Sequence, residues 1–439
     1  MNKLVRSCAI ALGLVCVAGS ASAIDKWNWQ KSEGGVLTDV SNWTKDGKTL
    51  EKWDETAAYR ILGTSNLGER QVLSSDLTLN GDMYVEQFDF GYSTYTVEGI
   101  LNLGVGNKLN CNAFNVIDGA VGTLTSGTII VKGNALIGKN GGGAGNRETK
   151  FTIDGSSAKL DVRGSGKLAV GYSTKTNSCF EVLNGAAATV ESDLYIGYDG
   201  PTVHNTFLVA GEGSYFSTTS AVEIGAKSNS SDNRIIVTDG ANFSCSQLVI
   251  GSASDDETGS SGNVFVLANG ATFDMNGKKV VHLGRSGQPG NALVISNASF
   301  VASSFELYKP SHYSNAEIYV AGTNGYLSTA GRNFPVYDTH KVVLDIHGPI
   351  VNPEMVKSNA TISFDKGSKL VITTTQDLSK VNDFDVVALY GEGGLVIAEG
   401  VIECDKSLGF SYEIDEAAHK LIVHYKRPVK IDGTHVFFF

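Results

Sequence analysis

Short runs in which apolar and polar residues alternate recur along the chain, each stopped by glycine. The clearest is a tetrapeptide of aliphatic residue or alanine, any residue, aliphatic residue, glycine. It stands at 135–138, 168–171, 194–197, 222–225, 248–251 and 281–284, with glycine-to-glycine spacings of 33, 26, 28, 26 and 33. A weaker copy stands at 101–104. Alternation with period 2 places Leu194 and Ile196, or Leu248 and Ile250, on one face of a strand and Tyr195 or Val249 on the other. The first set predicts a core column.

A second pattern runs in phase with it, an apolar run closed by Asp or Asn and then Gly, at 151–155, 180–185, 235–240 and 264–270, with degenerate copies at 207–211 and 292–297. Asp-Gly and Asn-Gly pairs suit backbone of positive φ, so each copy predicts a strand and then a tight turn. An asparagine precedes each of these runs, at Asn146, Asn177, Asn205, Asn233, Asn263 and Asn291, after a polar loop of variable length. These predict an internal ladder in which one unit hydrogen-bonds the next, as in other stacked β structures.

Helical periodicity is not sustained after the first residues, which argues against a doubly wound α/β enzyme. Units of roughly 28 residues are too short to fold alone and must stack. The expectation is an all-β fold, a right-handed parallel β-helix (a solenoid) of about eight to ten coils. Its ends would be open β-edges, so both need caps. The expected organisation is a signal peptide at 1–23, a Trp-rich N-terminal cap at 24–60, repeats at 61–340, and final coils with a C-terminal cap at 341–439.

Composition fits many short strands joined by small turns, with 51 glycines, 7 prolines and 18% charged residues. Lys3 and Arg6, an apolar run over 8–17 and the small residues Ala21, Ser22 and Ala23 have the order of a secretory signal, with cleavage expected after Ala23. A lipid anchor at Cys16 is the other reading of this start, although Val15 is bulky for it. Loss of Lys3 and Arg6 lowers the basic count from 35 to 33 against 46 acids, a net charge of −13. That sign disfavours nucleic acid and anionic lipid as partners. No later run is apolar enough to span a membrane as a helix.

Four cysteines remain after cleavage, Cys111, Cys179, Cys245 and Cys404. They lack metal-type spacing and fall at dissimilar places in the repeat, which favours buried thiols, although export would permit disulfides.

All four tryptophans fall within 27 residues, and this segment holds Trp27, Trp29, Asp39, the pair Asn42 and Trp43, Asp54, Ala57, Ala58 and Tyr59. An aromatic plug over the first coil is one reading, and a carbohydrate-stacking platform of Trp27, Trp29 and Trp43 is the other. With the repeats from about 115 to 300, this segment resembles secreted bacterial proteins with autotransporter-associated β-strand repeats and their Pro-Glu-Pro sorting-tail relatives. The resemblance implies a passenger, adhesin or surface-layer role. The C-terminus departs from those families: it has no Pro-Glu-Pro tail, and 340–439 is too short for a typical autotransporter pore. The closing Phe437, Phe438 and Phe439 read as a frayed apolar tail, the aromatic end of an outer-membrane barrel being the other reading.

A pectate-lyase-like enzyme would need carboxylates for calcium and a nearby base, and the candidates are Asp255, Asp256 and Glu257 with Arg234 or Arg285. Those acids also suit a solvated loop. Asp154 and Asp239, expected in register with Asn184 and Asn269, form a conceivable line of oxygen ligands, although each precedes a turn glycine. His204, His282, His419 and His424 have no metalloprotease spacing, and the glycine-rich 141–145 lacks the residues of a phosphate loop. No catalytic, cofactor-binding or metal residue is assigned. The leading expectation is an exported, non-catalytic structural or adhesin-like protein meeting extracellular glycans or surface proteins, and a polysaccharide-degrading or polysaccharide-binding β-helix is the alternative.

Overall fold

A computed structural model describes residues 24–436, apart from 30, 32, 63–70, 93–96, 140–147, 174–175, 227–228, 252–259, 276–279, 286–287, 308–314 and 432–433. The signal segment, Asn146, the glycine-rich 141–145, the loop acids Asp255, Asp256 and Glu257, and Phe437 to Phe439 lie outside the described residues.

The chain is a right-handed parallel β-helix of about twelve turns, more than the eight to ten expected. Each coil of the central part contributes three strands, and each strand pairs in parallel with its equivalent in the next coil. One central coil consists of Thr206–Ala210 on the first sheet, Tyr215–Thr218 on the second and Ala221–Ile224 on the third. These pair respectively with Arg234–Thr238, Asn242–Cys245 and Gln247–Ile250. The tetrapeptides supply the third sheet, and the runs closed by Asp/Asn-Gly supply the first. The weak copy at 101–104 does not belong with the tetrapeptides: Leu101 lies in the strand Val97–Asn102, which pairs with Val121–Val131 on the first sheet. The N-terminal third-sheet counterpart is Phe88, Asp89, Phe90 and Gly91, aromatic where the later copies are aliphatic, and paired in register with Phe114, Asn115 and Val116.

Side chains at alternate strand positions fill the interior. Leu194, Ile196, Leu248 and Ile250 are fully buried, as their phase predicts. A row of phenylalanines shifts from the first sheet to the second along the rod. Phe180 and Phe207 stand on the first sheet, Phe207 meets Phe216 of the second at 5.1 Å between ring centroids, and the row continues through Phe243 and Phe273 to Phe300. In some coils the bulk is traded between the two sheets, Phe180 sharing its coil with Ala188 and Ile235 with Phe243, whereas Phe207 and Phe216 share one coil and pack edge to face. Interiors packed to this density lose about 3–5 kcal/mol when a buried phenylalanine is cut to alanine.

Asparagines bind the coils along the corner between the third and first sheets. Asn205, Asn233, Asn263 and Asn291 are fully buried. The Asn205 amide donates to Asn233 Oδ1 at 2.8 Å, Asn233 to Asn263 Oδ1 at 3.1 Å, and Asn263 to Asn291 Oδ1 at 3.3 Å. Each of these oxygens also accepts the backbone N–H of the preceding asparagine, at 3.1 Å. In the coil before Asn205 the ladder residue is Ser178, whose N–H donates to Asn205 Oδ1 at 3.0 Å. Asn177, predicted as a rung, is one residue out of phase and takes φ +57 in the preceding turn. Thr149 occupies the rung before Ser178, and its hydroxyl accepts from Gly119 N at 2.7 Å.

The glycine of the tetrapeptide and the asparagine of the ladder are one device. Gly171 takes φ +74, and a Cβ there would lie 2.2 Å from Asn205 Cγ. At Gly225, with φ +69, it would lie 2.5 Å from Asn263 Nδ2. The glycine that closes one coil thus seats the asparagine that opens the coil after next. A second buried row runs beside the first: Thr202 and Ser230 hydroxyls bond each other at 2.8 Å, and Ser230 and Ser260 donate to the carbonyls of Gly197 and Gly225. The buried asparagines and the hydroxyls of Thr202, Ser230 and Ser260 thus satisfy one another and the backbone at a tight corner, whereas the buried Ser178 hydroxyl has no partner among the described residues.

The segment 24–60 is part of the solenoid as well as its cover. Lys26–Trp29 pairs in parallel with Ala58–Ile61, which pairs with Met83–Phe90. At the other end Phe384–Gly391 pairs in parallel with Val356–Ser358 on one edge and antiparallel with Lys420–Tyr425 on the other; the latter also pairs with Phe410–Asp415. This change of direction ends the parallel stack. Tyr425 lies buried beneath it, with its hydroxyl donating to Leu378 O at 2.8 Å.

Candidate functional site

The tryptophans do not form an exposed platform. Trp29 and Trp43 are fully buried, edge to face at 5.4 Å, and Trp43 packs against Tyr59 at 4.9 Å. The Trp43 indole N–H donates to Leu37 O at 2.8 Å, and Trp53 stacks on Tyr59 while donating to Tyr84 O at 3.0 Å. Burial pushes the Tyr59 pKa up to about 12. These contacts define an aromatic plug over the first turns.

The predicted line of oxygen ligands is broken. Asp239 is in register with Asn269, which donates to Asp239 Oδ1 at 3.1 Å. Asp154, however, stands opposite Leu183, one residue short of Asn184, although Asn184 reaches it at 2.7 Å. Gly211 falls at the intervening rung of the column. The amide-carboxylate pairs spend these oxygens on each other. Among the described residues no group of three or more His, Cys, Asp and Glu could hold a metal ion.

Arg234 is exposed at the start of a first-sheet strand, and Arg285 is exposed beyond the third-sheet strand Val281–Leu283 of the following coil. His204 and His419 occupy left-handed turn positions. His282 faces outward from the third sheet, 3.5 Å from Glu306, and burial pushes its pKa down. His424 lies on the closing hairpin, bonded to exposed Asp385 at 2.6 Å. The four cysteines are unbridged: Cys111 and Cys245 are buried, and burial pushes Cys179 up to about 12 and Cys404 up to about 11.

Three outward clusters were not anticipated. At the N-terminal end of the third sheet, buried Asp89 accepts from Arg60 Nε at 3.3 Å, Asn115 Nδ2 at 2.7 Å and Gln87 Nε2 at 2.8 Å, while Arg60 lies over the Tyr92 ring at 3.6 Å. Farther along that sheet Tyr172, Tyr195 and Tyr198 cluster outside the core, with Lys167 over the Tyr195 ring at 5.0 Å. On the first sheet, buried Asp345 accepts from the Tyr319 hydroxyl, from Thr375 N at 2.7 Å and Oγ1 at 2.8 Å, and lies 3.1 Å from His347 Nε2. Burial works to raise the Asp345 pKa, but these donors together outweigh it and hold the carboxyl below its ordinary value. Asp345 thus orients an imidazole beside a tyrosine, the arrangement a positioned acid or base requires.

The second sheet carries a shallow open groove on its outer face. Tyr215, Ser217, Asn242, Ser244, Thr272 and Asp274, from three successive coils, line it together with Gly213 and the strand backbone at Phe216 and Phe243. Tyr215 is 39% exposed. Ser244 donates to Ser217 Oγ at 3.0 Å, and Thr272 Oγ1 donates to Asn242 Oδ1.

The architecture is that of a right-handed parallel β-helix. No family model, curated protein or solved structure matches the chain.

Proposed function

We propose that the chain is exported and serves as a non-catalytic rod at or beyond the surface of a bacterial cell, in a structural or adhesin-like role. The observation that carries this reading is the spending of the repeated polar residues on the rod itself. Asn205 to Asn291, Thr202, Ser230 and Ser260 bond from coil to coil inside it. The basic, apolar and small-residue order at 1–23 and the resemblance to passenger-type repeat proteins support export. The test is expression of the full chain in a Gram-negative bacterium, followed by fractionation, terminal sequencing and protease shaving of intact cells. A mature form beginning at Ile24 and reached by external protease is expected. A cytoplasmic product that keeps Met1 refutes export.

A polysaccharide-cleaving enzyme is the second reading, and the observation favouring it is the Asp345, His347 and Tyr319 cluster. The chain from Ile24 onward, incubated with acidic and neutral polysaccharides with and without calcium, should release no new reducing or unsaturated ends. Release that is lost in His347→Ala would overturn the non-catalytic reading and place the chemistry on the first sheet.

A further inference from the structure

We propose that the groove on the outer face of the second sheet binds an uncharged glycan, with Tyr215 as its stacking platform. The proposal rests on the reading of the protein as a rod that meets ligands on its flank, but its test uses purified protein and does not depend on export.

The lining has the chemistry of sugar recognition. A pyranose ring offers an apolar face of C–H bonds and a rim of hydroxyls. A site for it needs an exposed aromatic ring and short side chains able both to donate and to accept. Tyr215 supplies the ring. Ser217, Ser244, Thr272 and Asn242 supply the polar rim from fixed strand positions, so little ordering cost is left to binding. Their mutual hydrogen bonds aim them: with Oδ1 of Asn242 engaged by Thr272, the exposed Asn242 amide has its N–H donors for a ligand. The exposed Asp274 carboxylate at one end accepts from two neighbouring sugar hydroxyls. Three rungs at about 4.8 Å span roughly 10 Å, room for a short oligosaccharide lying along the rod axis.

The charge pattern selects against other ligands. Among the described residues Asp274 is the single charged side chain of the lining, and the mature chain carries −13. Polyanionic glycans are therefore repelled. A peptide would look for an open strand edge or an apolar pocket. The groove lies over strands already paired on both sides, and its apolar residues, Phe216 and Phe243, point into the core.

The experiment is saturation-transfer NMR of the folded chain from Ile24 onward against neutral gluco-, manno-, xylo-, galacto- and N-acetylchito-oligosaccharides, followed by titration of any that bind. Binding by at least one is expected, weakened about tenfold or more in Tyr215→Ala and in Thr272→Arg, and within about threefold of the parent in Tyr215→Phe. Both altered positions are on the surface, and equal thermal midpoints would show the fold intact. The proposal is overturned if no neutral oligosaccharide binds. It is also overturned if binding survives both Tyr215→Ala and Thr272→Arg, or if the groove takes up a basic peptide in preference to every sugar.

Discussion

Truncating one rung of the asparagine ladder tests the central structural argument. In Asn233→Ala the N–H and one amide hydrogen of Asn205 lose the oxygen that both donate to, at 3.1 and 2.8 Å, inside a fully buried corner. Thr202 O keeps the backbone N–H of Ser231 and Asn263 Oδ1 keeps the N–H of residue 233, so two donors are orphaned and no acceptor is. At about 1–3 kcal/mol for each buried group left unpaired, the loss is about 2–6 kcal/mol. Adding Asn205→Ala removes one orphan with its side chain. The pair Asn205→Ala and Asn233→Ala should therefore cost about 1–3 kcal/mol less than the sum of the singles. Asn205 and Asn291 are three rungs apart, roughly 14 Å, so that pair should be additive. A stacked array does not melt as one unit, and local free energies from native-state hydrogen exchange over residues 178–291 are the right measure. The reasoning fails if Asn233→Ala changes local stability by less than about 0.5 kcal/mol, or if the adjacent pair is as additive as the distant one.

Other outcomes follow from the same geometry. Phe243→Ala should destabilise the neighbouring coils by about 3–5 kcal/mol, read by the same exchange experiment, with the N-terminal plug left nearly unchanged. Gly225→Ala, which combines φ +69 with a Cβ 2.5 Å from Asn263 Nδ2, should cost more than the 1–2 kcal/mol of left-handed backbone alone, whereas Gly47→Ala, with open space around the added carbon, should stay near that figure. The Asp345 carboxyl has its pKa lowered on folding, so its stabilising contribution is present above the ordinary aspartate value of about 3.9 and is lost as the pH falls through the folded value. Asp345→Asn should flatten that part of the stability profile between pH 5 and 2, measured by denaturant midpoints. Cys111 and Cys245, raised in pKa by burial, should resist a thiol reagent at pH 8 until the chain unfolds, and half-buried Cys404 should react before them.

The parts of the fold legible in the sequence are those that repeat in type. Third-sheet strands announce themselves because Leu194, Ile196 and Gly197 recur as Leu248, Ile250 and Gly251, each constrained by the core on one side and by the ladder on the other. The second sheet does not, because one of its inward columns pairs Val190 with Thr218, Cys245 with Met275 and Ala302 with Thr329, residues that share no type. Asn177 was one residue out of phase because serine performs the same backbone contact at Ser178, and a search by residue type passes over it. Outward clusters were hidden for another reason. Tyr319, Asp345 and Thr375 come from successive coils 26 and 30 residues apart, and nothing requires their neighbours along those columns to resemble them. Tyr215, Asn242 and Thr272 are joined in the same way. The signal that could have found them is spacing by one coil length, read across dissimilar residues.

The seating of each opening asparagine on a glycine two coils back makes the coil a transferable part. Gly197, Gly225 and Gly251 present the same socket to Asn233, Asn263 and Asn291. A gene segment encoding one coil, duplicated or lost within this stretch, would leave matching sockets on both sides of the join. The rod can thus change length in steps of one coil while every corner keeps its fit, whereas the gain or loss of a few residues falls in the loops between strands, as in the longer stretch from Gly251 to Asn263.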